Sequence, residues 1–599
     1  MDYKKILPKY RKDRTRLIEI LKEIQSAEGF ISDKAVQAVA ENLGLSRAEV
    51  EGVISFYHFL SDRPLGKYVV YLNNSITAEM AGREKVAQAL EQETGCRFGE
   101  TSADGLVTLL ETSCIGMNDQ EPAAIINGVV FTCLNPEKVK RLVSAMKAGQ
   151  VVQDMVEETG DGANSHELVR AMVRNNIRQT GPVVFGDYSA GQALTRALCL
   201  TPEAVIDEVK KANLLGRGGA GFPTGLKWEF CRKEKGEQHF VICNADEGEP
   251  GTFKDRVILT ERPEMVFEGM AIAGYAVGAK LGFLYLRHEY TYLRRYLEQV
   301  LQKMREQGWL GQNIAGRGFD FDIEIKMGAG AYICGEESAL IESAEGKRGE
   351  PRDRPPFPVQ KGYLNLPSTV NNVETLATAT QILVRGSGWF RSMGTPVSAG
   401  TKVLSVSGDC DRPGIYEVEY GLTIKELLDL VGARDTLAVQ VGGPSGNCIA
   451  EAGFGRRICF SDLATGGSVI IFNKSRDLLA VVRNFLEFFI EESCGWCLPC
   501  RAGNVLLKKK FEKIASGRGT AQDLKEIEAW GKIIKSMSRC GLGQTSPNPV
   551  LTSLANFRDL YESLINKEAS FIPEFDLNRA VAEACEITGR KFQEEHDHA

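Results

Sequence analysis

The chain has 599 residues, of which 43% are apolar and 25% are charged, as is ordinary for a globular protein. Its formal net charge of -7 gives no electrostatic basis for nucleic-acid binding. No stretch approaches about 18 uninterrupted apolar residues, and the charged start of the chain lacks the apolar core of an export signal. We therefore expect no association with nucleic acid or membrane. Fifteen cysteines in such a chain predict ligands or buried thiols rather than disulfides, and a cytoplasmic location.

The first part of the chain is predicted to combine helices with a small α/β domain. Residues 1–65 read as helical, because apolar residues recur at helical spacing over 16–24 and Ser46 precedes Glu49 in a capping pattern. Residues 66–148 form the α/β domain, and the polar, acidic residues after it predict a linker over 149–184. The elements predicted in the α/β domain are strands at 67–72, 107–110 and 124–127 and helices at 84–94 and 136–147.

The remainder is predicted to contain three further domains. A second α/β domain covers 185–395, and its first helix begins at Thr201-Pro-Glu, with a cap residue, proline and an acid in the first turn. A β-grasp-like module covers 396–475, and a helical bundle covers 476–599. The elements predicted here are strands at 240–243, 283–286 and 323–326 and helices at 423–431, 477–492, 505–516, 521–537 and 550–566.

Four cysteines near the C-terminal end indicate a metal cluster. Cys494, Cys497 and Cys500 form the pattern C-x2-C-x2-C, and Cys540 follows at a distance. Thiolates at this spacing are typical ligands of a 4Fe–4S cluster. A structural zinc site usually takes two separated C-x2-C pairs, so it fits less well, and scattered core cysteines are the remaining alternative. A cluster that passes single electrons implies a redox function.

A glycine-rich loop follows the helix that begins at Thr201. Backbone N–H groups of such a loop can approach a phosphate closely, and the cations Arg217 and Lys227 would suit the same ligand. The alternative is a simple glycine-rich turn. Because the loop follows a helix rather than a strand, an ordinary dinucleotide-binding fold is disfavoured. The glycines of the loop are Gly216, Gly218, Gly219 and Gly221.

Three more polar segments lie beside predicted strands. One begins at Asn244, directly after an apolar strand, where open α/β sheets bind ligands, although a solvated loop is the alternative. Another places Glu336 and Glu337 at the start of a helix, where simple capping would also explain acids. In the last, the amides of Asn371 and Asn372 could bind a heteroaromatic ring or sugar hydroxyls, with a turn as the alternative.

Together these motifs resemble the NADH-binding flavoprotein subunit of respiratory complex I and its relatives. The resemblance covers about 185–590. It rests on the glycine loop, Asn-Ala-Asp-Glu-Gly-Glu-Pro-Gly-Thr-Phe-Lys-Asp-Arg, Gly-Ala-Gly-Ala-Tyr-Ile-Cys-Gly-Glu-Glu, Val-Asn-Asn-Val-Glu-Thr and Ser-Cys-Gly-x-Cys-x-Pro-Cys-Arg. Residues 1–148 resemble the thioredoxin-like ferredoxin subunit of the same module. The fusion of the two resembles the large diaphorase subunits of NAD-reducing nickel–iron hydrogenases.

This resemblance implies a multidomain α/β fold, with a helical and thioredoxin-like front part, a Rossmann-like FMN/NAD domain, a β-grasp module and a cluster-bearing helical bundle. It places the FMN phosphate near the glycine loop and Lys227, and NAD over the flavin with its adenine on Phe222 and Phe230. For these two aromatics the residues alone favour core packing. Glu337 would hydrogen-bond the nicotinamide or its ribose. The other residues implied around FMN are Asn244, Asp246, Glu247, Tyr332, Gly335, Glu336, Asn371, Asn372 and Thr375.

The implied cofactors are FMN and a 4Fe–4S cluster on Cys494, Cys497, Cys500 and Cys540, with NAD(H) as substrate. The implied partners are a small iron–sulfur diaphorase subunit and the small and large hydrogenase subunits. Hydride transfer needs no acid or base from the protein, and six histidines, His596 and His598 among them, give no support for histidine catalysis. No second C-x2-C pair suited to nickel is present, and the resemblance implies that hydrogen turnover resides on another chain.

Several alternatives remain at this stage. The chain could serve an NAD-dependent formate dehydrogenase, a bifurcating hydrogenase or a complex I-like enzyme, since these share the flavin site. An assembly scaffold with a vestigial site is a further alternative. The front domain departs from the ferredoxin pattern, because its four ligand positions read Asn73, Ala78, Cys114 and Asn118. One thiolate cannot hold a 2Fe–2S cluster, so we predict a cluster-free docking or scaffolding domain.

Overall fold

The structure is a computed structural model that describes residues 3–567 and 577–590. His596 and His598 therefore lie outside the described residues. Within them, no helix has both the length and the apolar character needed to cross a membrane.

The N-terminal helices pack on one face of the second α/β domain. Their apolar residues share a buried core with Phe240 and Phe283 of its sheet. The connection is also polar, since the N–H groups of His58 and Phe59 donate to the carbonyls of Gly330 and Ala329 at 3.0 and 3.1 Å. The capping box between Ser46 and Glu49 is confirmed. These helices are Tyr3–Ile6, Leu17–Glu28, Asp33–Leu43 and Arg47–Ile54.

The thioredoxin-like domain is a four-stranded sheet flanked by helices. The order of its strands is Val107–Thr112, Tyr68–Asn73, Ala124–Ile126, Val129–Phe131, of which the first pair is parallel. The prediction omitted the last strand. It follows a two-residue turn at Asn127 and Gly128, both at positive φ, and this Asn-Gly turn is a strong hairpin signal. The helices are Ile76–Met80, Arg83–Thr94 and Pro136–Lys147.

The second α/β domain has a parallel sheet with a reversal in strand order. Its strands lie side by side in the order Asp322–Met327, Leu281–Leu286, Phe240–Ala245, Ser368–Asn372. All are parallel, and the last strand in the chain is added on the opposite side of Phe240–Ala245 from the other two, so the order of addition reverses there. Residues 368–372, for which a turn was an alternative, form a strand. Doubly wound sheets bind ligands at such a switch point. Its helices are Gln192–Ala197, Pro202–Lys211, Thr224–Lys233, Lys254–Glu261, Pro263–Val277, Arg294–Glu306, Glu337–Ala344, Val373–Arg385 and Ser387–Arg391.

The β-grasp-like module includes a strand from the predicted linker. Its sheet has the order Asn447–Ala450, Thr436–Val441, Ser468–Asn473, Thr401–Gly408, Gly414–Glu419, Ile177–Gln179. The last of these pairs with Ile415 and Tyr416, and Val152 and Met155 of the linker are buried. The linker is thus structured, with 3-10 turns at Val152–Met155 and Gly162–Ser165. The division of the chain into six parts, at the boundaries predicted from the sequence, stays a proposal. The helix of the module is Ile424–Val431.

The C-terminal helices surround their own apolar core. The prediction of one helix over 550–566 was wrong, because Phe557 (φ -131°, ψ 42°) interrupts it. The amide of Asn556, the last residue of the first helix, donates to the carbonyl of Cys448 at 3.0 Å, a long-range contact at the point where the helix ends. The helices are Leu478–Glu491, Leu498–Arg501, Gly503–Ala515, Ala521–Met537, Gly541–Thr545, Asn548–Asn556, Arg558–Ser563 and Leu577–Thr588, with paired strands Gly519–Thr520 and Ile565–Asn566.

Candidate functional site

The glycine loop lies at the switch point of the parallel sheet. A Cβ added to Gly218 would lie 3.4 Å from the Cβ of Asn372, at the end of the edge strand. The N–H of Arg217 donates to Oγ1 of Thr375 at 2.8 Å, on the helix that follows that strand. Gly219 and Gly221 have φ of 117° and 67°, a conformation that side chains disfavour. The fold therefore brings the loop and the third and fourth motif segments to one edge of the sheet.

Arg217 has a different role from the one its charge predicted. Its side chain is fully buried, and its guanidinium donates to the carbonyls of Leu215 and Ala399 at 2.9 and 2.8 Å. It also lies 4.9 Å from the centre of the Tyr420 ring. These contacts commit the cation to the interior, so its expected phosphate contact is not supported. Arg217 contributes to the loop through its backbone, whose N–H donates to Thr375.

Lys227 and Glu337 form an ion pair between two motif segments. Nζ of Lys227 lies 3.1 Å from Oε2 of Glu337 and donates to the carbonyl of Val370 at the same distance. The cation is also 5.8 Å from the centre of the Phe222 ring. Arg354, which the sequence analysis did not single out, contacts Glu336 and lies 3.4 Å from Glu337. Two cations therefore flank the paired acids.

Phe222 and Phe230 are exposed by 45% and 44%. Core packing, the interpretation that the residues alone favoured, is therefore wrong for both. Phe230 lies on the helix Thr224–Lys233, one turn after Lys227. Exposed aromatic faces beside the glycine loop can stack on a flat ligand.

The polar run after strand Phe240–Ala245 is connected to the other segments by its side chains. The amide of Asn244 donates to the carbonyl of Gly335 at 2.8 Å. Burial raises the pKa of Asp246 well above its usual range. Glu247 accepts hydrogen bonds from the N–H groups of Asp255 and Arg256 at 2.7 and 3.1 Å, so its carboxylate caps the next helix. Contacts from Asn244 therefore position the backbone of the third segment.

Other predicted residues also serve as local supports. Glu336 accepts from the N–H groups of Ser338 and Ala339, so the capping alternative is confirmed for this acid. Asn371 accepts from the indole N–H of Trp228 at 2.9 Å. Asn372 accepts from the N–H of Glu374 at 3.0 Å and caps the helix there. These side chains fix the backbone around the switch point.

Lys254 and Glu249 lie in the polar run that begins at Asn244, but they are not among the predicted site residues. Lys254 is buried, and its Nζ lies within 2.6 Å of Asp255, 3.0 Å of Glu374 and 3.2 Å of the amide oxygen of Asn372. Glu249 accepts from the hydroxyl of Tyr332 and from the N–H of Ser445. Burial raises the pKa of Glu249 to about 7. The signal available was position, since both follow an apolar strand in one dense polar run.

Three of the four cluster cysteines lie at two short helices, and Cys494 lies in the loop before the first of them. Cys497 and Cys540 immediately precede Leu498–Arg501 and Gly541–Thr545, and Cys500 lies within the first of these. Burial raises the pKa of Cys540 to about 12, and the nearby thiols of Cys494 and Cys500 add to the effect. Cys494, Cys497 and Cys540 pack against the same core as Tyr332 and Ile333.

The four cysteines form a donor set that consists of thiolates alone. Among the described residues, no group of three or more His, Cys, Asp or Glu side chains is placed to hold one metal ion. In a 4Fe–4S cluster each thiolate binds a different iron, so the four sulfurs need not meet at one point. An all-thiolate donor set also suits iron–sulfur chemistry.

Glu492 connects the third motif segment to the cysteines. Its carboxylate accepts from the N–H of Tyr332 at 2.8 Å and from the hydroxyl of Ser113 at 2.6 Å. The rings of Phe488 and Tyr332 are 4.9 Å apart. Glu492 lies two residues before Cys494, so the helix Leu478–Glu491 connects the switch point with the cluster region.

At the four ferredoxin ligand positions of the front domain, the polar side chains form hydrogen bonds within the domain. Sγ of Cys114 donates to the amide oxygen of Asn118 at 3.1 Å, and the amide of Asn118 donates to Oγ1 of Thr77 at 2.7 Å. Asn73 donates to the carboxylate of Glu121. Ala78 is fully buried. Cys114 is the single thiol among them.

Three family models match the chain. They are the Nuo51 FMN-binding domain over 209–381, the thioredoxin-like 2Fe–2S ferredoxin over 3–147, and the iron–sulfur binding region of NADH-ubiquinone oxidoreductase-F over 480–564. These ranges coincide with the switch-point domain, the front part and the cysteine-bearing helices.

Relatives extend over almost the whole chain. The alpha subunit of the NAD-reducing hydrogenase HoxS of Cupriavidus necator is 52% identical over 580 residues, 96% of each chain. The HndC subunit of the NADP-reducing hydrogenase of Solidesulfovibrio fructosivorans is 43% identical, over 64% of this chain and 81% of its own length. A crystal structure of an NAD+-reducing NiFe-hydrogenase in its H2-reduced state matches with a TM-score of 0.87 and 37% identity, over 98% of each chain. The chain belongs to the family of the alpha subunits of NAD-reducing hydrogenases.

Proposed function

We propose that this chain is the diaphorase subunit of an NAD-reducing nickel–iron hydrogenase. When bound, FMN exchanges hydride with NAD(H) and single electrons with the 4Fe–4S cluster. The observation that carries the proposal is the convergence of four motif segments at one switch point, with Tyr332 hydrogen-bonded to Glu492 beside the cluster cysteines. Flavin and cluster are thus expected at neighbouring places along one path.

The residues at the switch point fit the phosphate of FMN. A Cβ at Gly218 would lie 3.4 Å from the Cβ of Asn372, and Gly219 and Gly221 of the loop have positive φ. Backbone N–H groups and Lys227 would hold the phosphate, while Asn244, Asp246 and Tyr332 would orient the ribityl chain and ring. The contribution of the chain is orientation and exclusion of water around the reacting rings.

NAD(H) would bind over the flavin on the exposed side of the same edge. Phe222 and Phe230 present half-exposed aromatic faces for the adenine. Glu337, flanked by Lys227 and Arg354, would accept a hydrogen bond from the nicotinamide ribose or carboxamide. The ion pairs set the orientation of that carboxylate before the nucleotide binds.

The helical module would pass electrons to partner subunits. Cys494, Cys497, Cys500 and Cys540 would bind the cluster. Exposed apolar side chains on this module support an interface, since such side chains mark interaction surfaces. We propose as partners a small iron–sulfur diaphorase subunit and the small and large hydrogenase subunits, which would carry hydrogen activation. The exposed apolar residues in the described part of this module are Trp496, Leu498, Val505, Leu506, Ile533, Met537, Leu560 and Ile587.

We also propose a cytoplasmic location. All fifteen cysteines are free thiols in the structure, from Cys96 to Cys585. Unpaired thiols and a thiolate-bound cluster suit a reducing compartment.

The test is an assay of the purified chain together with its composition. We expect NADH-driven reduction of a dye, one FMN per chain, and four irons per chain after anaerobic reconstitution. A colourless chain without dye reduction would refute the proposal. Mass spectrometry of co-purifying subunits then identifies the complex. Hydrogenase subunits are expected, whereas a formate dehydrogenase subunit or a complex I subunit would favour those alternatives.

A further inference from the structure

The segment 113–119 of the front domain contacts the flavin and cluster modules at several points. It corresponds to the second ligand loop of the ferredoxin pattern and contains Cys114 and Asn118. We call it the 113–119 loop. Its contacts run through buried arginines and a carboxylate rather than through apolar packing alone, so they can determine positions precisely within the site.

Arg287 connects this loop to Glu247. Its guanidinium donates to the carbonyl of Cys114 at 2.6 Å and to the carbonyl of Glu247, while Glu289 pairs with it at 2.5 Å. Arg287 is 4% exposed. A planar fork that bonds two backbone carbonyls at once fixes their separation. One of those carbonyls belongs to the loop and the other to the polar run 244–256, which we call the flavin segment.

Asp119 provides a second connection to Glu247. Its carboxylate lies 3.6 Å from the guanidinium of Arg256, and both side chains are fully buried. The N–H of Arg256 donates to the carboxylate of Glu247 at 3.1 Å. The amide of Asn176 donates to Asp119 at 2.6 Å. A charged group that faces a buried arginine thus lies one residue beyond the ligand positions of the ferredoxin pattern.

Two further contacts extend from the same loop. A Cβ at Gly116 would lie 2.2 Å from the hydroxyl oxygen of Tyr290, which donates to Glu247 at 2.8 Å. Ser113 donates to Glu492, and Glu492 accepts from the N–H of Tyr332. The loop therefore reaches Glu247 by three routes and Tyr332 by one.

We propose that the 113–119 loop is a positioning element of the flavin site, so that the front domain sets the redox balance of FMN through Arg287, Arg256 and Glu492. This inference rests on the proposed function, which places Tyr332 beside the flavin, and on the family resemblance, which implies that Glu247 lies there too. In this proposal the loop positions the flavin site, whereas in the ferredoxin pattern the same loop holds cluster ligands. A docking domain alone would need no buried charges directed at the flavin segment, since such charges are costly to bury.

The test compares full-length variants with the wild-type chain. Asp119→Asn keeps the shape of the side chain and removes its charge, Arg287→Lys keeps the charge and removes the fork, and Ser113→Ala removes one hydrogen bond without changing charge. Asp104→Asn is the matched control. Its carboxylate accepts from Ser102 and from the N–H of Leu106 within the front domain.

The measurement is the ratio of the dissociation constants for oxidised and reduced FMN, with the melting temperature as a check on folding. A purely structural role lowers the melting temperature and leaves the ratio unchanged. In Asp119→Asn the uncompensated Arg256 should favour the reduced flavin by about tenfold, which equals about 30 mV for a two-electron couple. Ser113→Ala should change the ratio about threefold, and Asp104→Asn should leave it at the wild-type value.

Ratios within twofold of wild type in Asp119→Asn and Ser113→Ala would overturn the inference, whether or not Arg287→Lys folds. A wild-type chain that binds no FMN would instead contradict the proposed function. The two failures are therefore distinguishable.

Discussion

Nζ of Lys227 lies 3.1 Å from a carboxylate oxygen of Glu337, so an ion pair joins the helix after the glycine loop to the helix after the third motif segment. Both groups are about one fifth exposed, at 20% and 23%. The pair is therefore open to a ligand on one side and fixed by protein on the other. It connects the expected phosphate region with the expected nucleotide region.

Substitution of Glu337 tests the nucleotide side of this pair. In Glu337→Gln we expect the KM for NADH to rise about tenfold, because a hydrogen bond to a charged group contributes about 1.5 kcal/mol. FMN content should stay within twofold of wild type. The control is Glu324→Gln, a surface acid that pairs with Arg16 at 3.0 Å. Loss of flavin with unchanged NADH kinetics would contradict the assignment.

The exposed aromatics are predicted to bind adenine. In Phe222→Ala and in Phe230→Ala we expect the KM for NADH to rise about tenfold, since stacking of a base on an aromatic ring contributes about 1–3 kcal/mol. The kcat of dye reduction should change less than the KM.

Phe454→Ala is the matched control for both aromatics. Phe454 is half-buried and packs against the core of the β-grasp-like module. This variant should lose stability without a change in KM. Equal kinetic effects in all three variants would argue against stacking at Phe222 and Phe230.

Cys540 is predicted to be the fourth cluster ligand. In Cys540→Ser we expect iron content to fall at least about twofold and the 4Fe–4S electron paramagnetic resonance signal to be lost, because serine is a harder and weaker donor to iron–sulfur clusters. FMN should be retained. Cys199→Ser, at an exposed cysteine, is the control. An intact signal in Cys540→Ser would disprove the ligand set.

We expect Glu249 to make the reduction potential of the flavin depend on pH. Burial raises its pKa to about 7, although hydrogen bonds from Tyr332 and Ser445 lower it, so the group is neutral below pH 7 and charged above. Above pH 7, electrons added beside the carboxylate should draw a proton onto it. The flavin potential should then fall more steeply with pH, by about 30 mV per unit for a two-electron couple.

Glu249→Gln removes the titrating group while keeping its hydrogen-bonding shape. Spectroelectrochemical titration of this variant should give one slope across pH 6–9. A break near pH 7 that persists in the variant would assign the titration to another group.

The front domain illustrates where local patterns were informative and where they failed. The helix Pro136–Lys147 was predicted near its observed bounds, and the structure shows why it begins there: the side chain of Asn135 caps it and proline follows. The strand Val129–Phe131 was omitted although Asn-Gly precedes it, since three residues give little periodicity. The single helix predicted over 550–566 failed at Phe557, whose backbone is not helical, and the residue before it makes a long-range hydrogen bond to Cys448 that no local pattern indicates.

The residues themselves determined the chemistry of this protein, because cysteine spacing, glycine loops and polar runs are local and their ligand preferences are intrinsic to the side chains. Only the tertiary structure decided which charges are available. It buries Arg217 and exposes Phe222 and Phe230, and it directs Asp119 of the front domain at Arg256 of the flavin segment. Burial and long-range pairing depend on how distant segments pack, which no single stretch of sequence specifies.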